Sequence, residues 1–130
     1  MTNATNETKA TKGYHKLIVW QRAREMVKIV YFITENFPKL EAFGLTSQIR
    51  RAAISVVANI VEGYSRSRKS SKEAKQFFSI AEGSLAELEA LLEIALDVIR
   101  DFSEEDYDKV ERLRSEVGYL LTRFIQSYKN

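Results

Sequence analysis

Arg50 and Arg51 stand side by side, and Arg66, Arg68, Lys69, Lys72 and Lys75 follow further along the chain. These side chains are suited to holding phosphate. Each cation that neutralises a phosphate releases condensed counterions. Ser65, Ser67, Ser70 and Ser71 are interleaved with the second group, and their hydroxyls can hydrogen-bond phosphate oxygens. Each group has a plainer reading. Paired arginines also serve as ion-pair partners between helices or subunits, and both uses of Arg50 and Arg51 stay open. A charge run between helices is commonly a solvated loop.

Catalytic chemistry finds little support. Glu82, Glu89, Glu93 and Asp97 fall along one ridge of a helix. All-helical nucleotide hydrolases hold magnesium with such carboxylates, but they need others converging from a facing helix. This ridge points away from the main apolar stripe with no evident partner, so it is expected to be a solvated face. His15 is the only histidine and there is no cysteine. No metal-ligand set, nucleophile motif or phosphate-cradling glycine loop follows from these residues. The expectation is a non-enzymatic protein with no cofactor, no metal and no catalytic residue.

Four helical segments must position the cations. The first spans about 17–36, with Trp20, Ala23, Val27, Val30 and Thr34 on one face. Phe37-Pro38 ends it, because the residue before proline is biased away from helix. The second begins near Thr46 or Ser47, either a good N-cap, and reaches Gly63 or a turn beyond. The run 65–71 is expected to link it to the third. Ser70-Ser71-Lys72-Glu73 is a plausible capping box for a third helix running to Ile99. The fourth runs from Ser103 to Tyr128, with Glu104, Glu105 and Asp106 facing the positive end of its dipole. Short connections predict antiparallel neighbours. The fold expected is all-α, an antiparallel up-down-up-down four-helix bundle over 14–130, behind a disordered polar tail over 1–13.

The stripes are uneven in width. The fourth helix has one: Val110, Leu113, Val117, Leu120, Leu121, Phe124 and Tyr128. The third carries a main stripe (Phe77, Phe78, Ala81, Leu85, Leu88, Leu92, Ala95, Leu96, Ile99) and a flank of Ile80, Leu91, Ile94 and Val98. The second carries a flank of Ile54, Val57 and Val61. A helix of a monomeric bundle needs a stripe roughly 100° wide. The excess predicts self-association through these flanks. Small residues Ala52, Ala53 and Gly63 on the second helix invite close packing. Asn59 beside them reads as a ligand-contacting amide or, preferably, a hydrogen-bonded lock on register.

The bulk numbers agree with one domain. The chain has 130 residues, 45% of them apolar, with one proline and five glycines. Its net charge of +2 hides a polarised distribution. Residues 50–81 hold seven basic and two acidic residues, and residues 82–111 hold two basic and eleven acidic. That asymmetry predicts an anionic partner or charge pairing between copies. No apolar run approaches membrane-span length, and residues 1–12 lack an apolar leader core, so a cytoplasmic protein without a membrane partner is expected.

The sequence also resembles a known family. Tyr14 to Ala23, Phe37-Pro38, Gly44 to Ala53, Asn59 to Gly63 and Ala81 to Glu89 look, in order and spacing, like the bacterial four-helix bundle proteins encoded in intervening sequences of 23S ribosomal RNA genes. That family is similar to the accessory protein of diversity-generating retroelements, which works beside a reverse transcriptase. The resemblance implies a bundle assembling as a homopentameric ring with a basic surface for RNA or DNA. It makes Arg50, Arg51, Asn59, Glu62 and Gly63 motif positions. The function expected is nucleic-acid binding; the alternative is a scaffold docking a partner enzyme such as a reverse transcriptase.

Overall fold

A computed structural model describes residues 12–128. Its four α-helices are α1 (Ile18–Thr34), α2 (Leu45–Arg66), α3 (Ser71–Val98) and α4 (Glu104–Gln126), with short 3-10 turns at Gly13–Lys16 and Lys39–Glu41. Each helix packs on its sequence neighbours, and α1 also packs on α4, closing the bundle. Cross-helix contacts run antiparallel: Arg50 near the start of α2 reaches Thr34 at the end of α1, and Arg66 at the end of α2 pairs with Glu73 at the start of α3. The expected up-down-up-down bundle is the fold observed. Of the expected tail, residues 1–11 lie outside the described residues, while Gly13 already begins the first 3-10 turn.

The helix ends follow local chemistry. Ser70 accepts a hydrogen bond from the Glu73 amide at 3.1 Å, and Ser103 accepts one from Asp106 at 3.1 Å. Each such cap is worth about 1 kcal/mol. The box at Ser70 is only half formed. The Glu73 carboxylate turns to Arg66, and the Ser70 amide donates to the Arg66 carbonyl. The expected N-cap at Thr46 or Ser47 is displaced to Gly44, which offers no side-chain cap. The Glu41 carboxylate supplies a substitute, accepting from the Leu45 amide at 3.4 Å. Thr46 lies inside the first turn, buried, with its hydroxyl unpartnered among the described residues. At the far end α2 continues past Gly63 to Arg66, so the expected linker shortens to residues 67–70.

The core is the set of main stripes. Trp20, Ala23, Met26, Val30, Ile49, Val56, Ile60, Phe78, Leu88, Leu92, Val110, Val117 and Leu121 are all buried. Aromatic rings plug the two ends. Phe78, Phe124 and Tyr128 stack edge-wise or tilted at one end, with centroids 5.1–5.3 Å apart. Phe37 and Phe102 meet at the other, 5.2 Å apart.

The tightest contact lies between α2 and α3. A Cβ placed on Gly63 would fall 2.4 Å from Cε1 of Phe78 and 3.0 Å from the Ala74 carbonyl oxygen. Gly63 therefore exists for close approach and does not mark the helix end. Asn59, half-buried, donates to the Ser55 carbonyl at 2.8 Å and to its hydroxyl at 3.1 Å. That hydroxyl lies 2.8 Å from the Ser84 hydroxyl on α3. The amide nitrogen is thus bonded within α2, and Ser55 carries the link on to α3.

The two flanks are solvent-facing in the single chain. Ile54, Ile80, Ile94 and Val98 are exposed, while Val57, Val61 and Leu91 are half-buried. Helical geometry sets them on opposite sides of the outer ridge of α2. The α2 flank lies toward α1, and the α3 flank lies across the ridge, beside Ser55.

Replacing Gly63 by alanine should destabilise the fold by about 1–3 kcal/mol, the usual cost of overpacking a tight core. Urea unfolding checks this. Pairing Gly63→Ala with Phe78→Leu should recover part of the loss, because the smaller side chain vacates the space the new methyl needs.

Candidate nucleic-acid interface

The antiparallel topology turns a linear charge pattern into a spatial one. The start of α1, the end of α2, the start of α3 and the end of α4 share one end of the bundle. Residues 12–24, 60–78 and 118–128 there carry ten lysines and arginines against two glutamates. At the other end, residues 32–51 and 90–111 carry ten acidic residues against five basic ones. The bundle is electrically polar along its length.

The basic end is built around the turn 67–70. Arg68, Lys69 and Lys72 are exposed and have no ion-pair partner among the described residues. Lys75 lies one turn further along α3, half-buried and with an interaction of its own. Arg66 is differently placed. As the last residue of α2 it pairs with Glu62 at 2.9 Å and Glu73 at 3.3 Å, and it lies over the Phe77 ring. Its hydrogen bond to Glu62 raises its pKa. Arg66 thus fastens the α2–α3 corner through Glu73, with Glu62 holding it from within α2, while Arg68, Lys69 and Lys72 remain exposed.

Arg50 and Arg51 do not join this cluster. Arg51 lies fifteen residues from Arg66 on one straight helix, or about 22 Å along the axis. Arg50 donates through Nε to the Thr34 hydroxyl at 2.8 Å and stacks on Tyr31, with 4.3 Å from Cζ to the ring centroid. It is an interhelix tie, the structural use of the two left open by the sequence. Arg51 is exposed and lines a small cleft of about 100 Å³ with Ser55 and Glu87. The single surface expected from α2 and the following turn therefore divides in two.

The fold adds cations that sequence reasoning missed. Lys12 and Lys16 arrive from the segment before α1, and Arg123 from the last turn of α4. They are remote from the linker in sequence, and only the topology brings them near it. Lys12 lines a hollow together with Arg68, and Lys16 lines another with Arg123. His15 packs between Tyr14 and Trp20, with centroids 4.8 Å from each.

One residue of the acidic ridge needs correction. Glu89 pairs with Arg114 of α4 at 3.3 Å, and Arg114 also holds Glu111 at 2.7 Å. Its hydrogen bond to Glu111 raises the Arg114 pKa. Only Glu89 joins this interhelix seam; Glu82, Glu93 and Asp97 are exposed, as expected of a solvated face. Among the described residues no cluster of His, Cys, Asp and Glu is placed to hold a metal ion. No described helix is long and apolar enough to cross a membrane.

A family model described as 23S rRNA-intervening sequence protein matches residues 15–123, most of the bundle. The chain belongs to that family. Among solved structures it is similar to a protein of unknown function from the S23 ribosomal protein family of Bacteroides thetaiotaomicron VPI-5482. The TM-score is 0.71 with 26% identity, covering 83% of this chain and 98% of that one. None of the curated proteins matches the chain. Membership in the 23S rRNA-intervening sequence family agrees with the resemblance read from the motifs around Arg50 and Asn59. Both of those residues make hydrogen bonds within the bundle.

Exchanging Arg50 for methionine should cost about 1 kcal/mol of stability, because the Thr34 hydrogen bond and the Tyr31 stack are lost. The same exchange at Arg51 should leave stability within about 0.5 kcal/mol, as befits an exposed side chain. Paired urea melts check the contrast.

Proposed function

We propose that this protein binds RNA or DNA without catalysing a reaction on it, gripping phosphates with the basic end of the bundle. The observation that carries the reading is the convergence of Lys12, Lys16, Arg68, Lys69, Lys72 and Arg123 at one end. Cations drawn from three separate stretches of chain make a field that a backbone of regularly spaced charges can exploit. Contacts to phosphate position a nucleic acid without reading its sequence, so weak sequence preference and steep salt dependence are expected.

Self-association belongs to the same proposal. Ile54, Ile80, Ile94 and Val98 are more exposed than a monomer would favour. Covering them between copies would set several basic ends on one rim and multiply the grip. The homopentamer implied by the resemblance is the arrangement we favour. The acidic end favours a second reading, a scaffold for a basic partner enzyme. Leu40 and Phe43 stand 97% and 100% exposed there, amid the carboxylates.

Fluorescence anisotropy with structured RNA and duplex DNA across a salt series tests the main reading. Affinity should fall steeply with salt. The double exchange Arg68→Glu, Lys69→Glu should weaken binding at least tenfold. Replacing the same pair by alanine should lower the log–log salt slope by about 0.7–0.9 per lost phosphate contact. Exchanging Leu40 and Phe43 for serine should leave nucleic-acid affinity unchanged. Affinity indifferent to salt would overturn the proposal. Self-association is checked by light scattering: Ile80→Asp with Ile94→Asp should reduce the assembly to monomer.

A further inference from the structure

A hollow of about 470 Å³ opens at the basic end between the segment before α1 and the turn after α2. Its walls include Lys12, Tyr14, Tyr64, Ser65, Ser67 and Arg68. The volume falls within the range of small-ligand sites. Each of the two chain segments supplies one cation and one phenol ring to the lining. Neither phenol hydroxyl has a hydrogen-bond partner among the described residues.

The rings are held in place. Tyr14 packs edge-on against the buried Trp20, with centroids 5.2 Å apart. Gly13 crosses the Tyr64 ring so closely that a Cβ there would lie 3.2 Å from the ring edge. The two serines are oriented as well. Ser65 Oγ donates to the Glu62 carbonyl at 2.8 Å, and Ser67 Oγ donates to the Tyr64 carbonyl at 2.6 Å. Their protons are committed, so what they offer a ligand is lone pairs.

We propose that this hollow takes one unpaired nucleotide, so that the protein prefers single-stranded nucleic acid to duplex. This rests on the phosphate-gripping reading above and extends it. Lys12 and Arg68 hold the phosphate, a phenol face stacks on the base, and the serine oxygens accept from amino groups on its edge. A free inorganic anion would use the cations and leave the aromatic walls idle. A base-paired nucleotide has its faces buried in the stack and its edge occupied. Only an unpaired one presents phosphate, face and edge together.

The test is anisotropy at one low salt concentration with the full chain and three probes of equal phosphate number: a single strand, the same strand lacking its bases, and a duplex. The single strand should bind about tenfold more tightly than either of the others, the scale of one base stacked on an aromatic ring. Tyr64→Ala should abolish that preference and leave the salt dependence unchanged, while Tyr64→Phe should keep it. Circular dichroism of the variants confirms that they fold, and the base-free strand tests the unaltered protein in any case. Equal binding of the base-bearing and base-free strands, with salt dependence intact, would overturn the hollow as a base site and leave the phosphate grip standing. A preference that survives Tyr64→Ala would also overturn it. No salt-sensitive binding of any probe would overturn both.

Discussion

The close approach of α2 and α3 at Gly63 is the constraint on which the rest of this structure depends. With no side chain at that position, the Phe78 ring sits against the α2 backbone, and the small side chain of Ala74 keeps the seam narrow there. Close contact of this kind gains dispersion energy over many atom pairs and tolerates little added volume. It also fixes the hairpin that turns at residues 67–70. Arg66 closes the corner from α2 onto Glu73 of α3. The free cations of the turn are thereby held at a defined place on a rigid end.

From that hairpin the charge polarity follows. Once α2 and α3 run antiparallel, the basic residues around the turn lie at one end and the acidic end of α3 at the other. The carboxylates that begin α4 join the acidic end, where they also suit the helix dipole. The basic residues that precede α1 and end α4 join the other. The fold thus concentrates opposite charges that a nearly neutral chain carries in separate stretches.

Much of the architecture was legible in the sequence. Phe37-Pro38, Ser70 and Ser103 marked helix ends by chemistry that needs no tertiary context, and the period of the apolar residues gave the buried faces. The start of α2 was misplaced because Glu41 caps it from a preceding turn, a role that only the three-dimensional path reveals. The site was less legible. Arg66 looks like part of a free basic run until α2 is seen to continue through it and bring Glu62 one turn below. Arg50 reads equally as a phosphate ligand or an interhelix tie until Thr34 and Tyr31 appear across the helix pair. Lys12, Lys16 and Arg123 carry no local signal at all, because their place in the cluster is made by topology.

In the proposed grip the basic end, and not the paired arginines or the acidic ridge, meets the phosphate backbone. Amide chemical-shift mapping of the full chain during titration with a short single-stranded RNA at low salt tests it most directly. Shifts concentrated in residues 12–16, 64–75 and 119–128, fading as salt is added, are the expected result. Shifts centred instead on Arg51 and its cleft, or on the acidic end around residues 97–108, would contradict it.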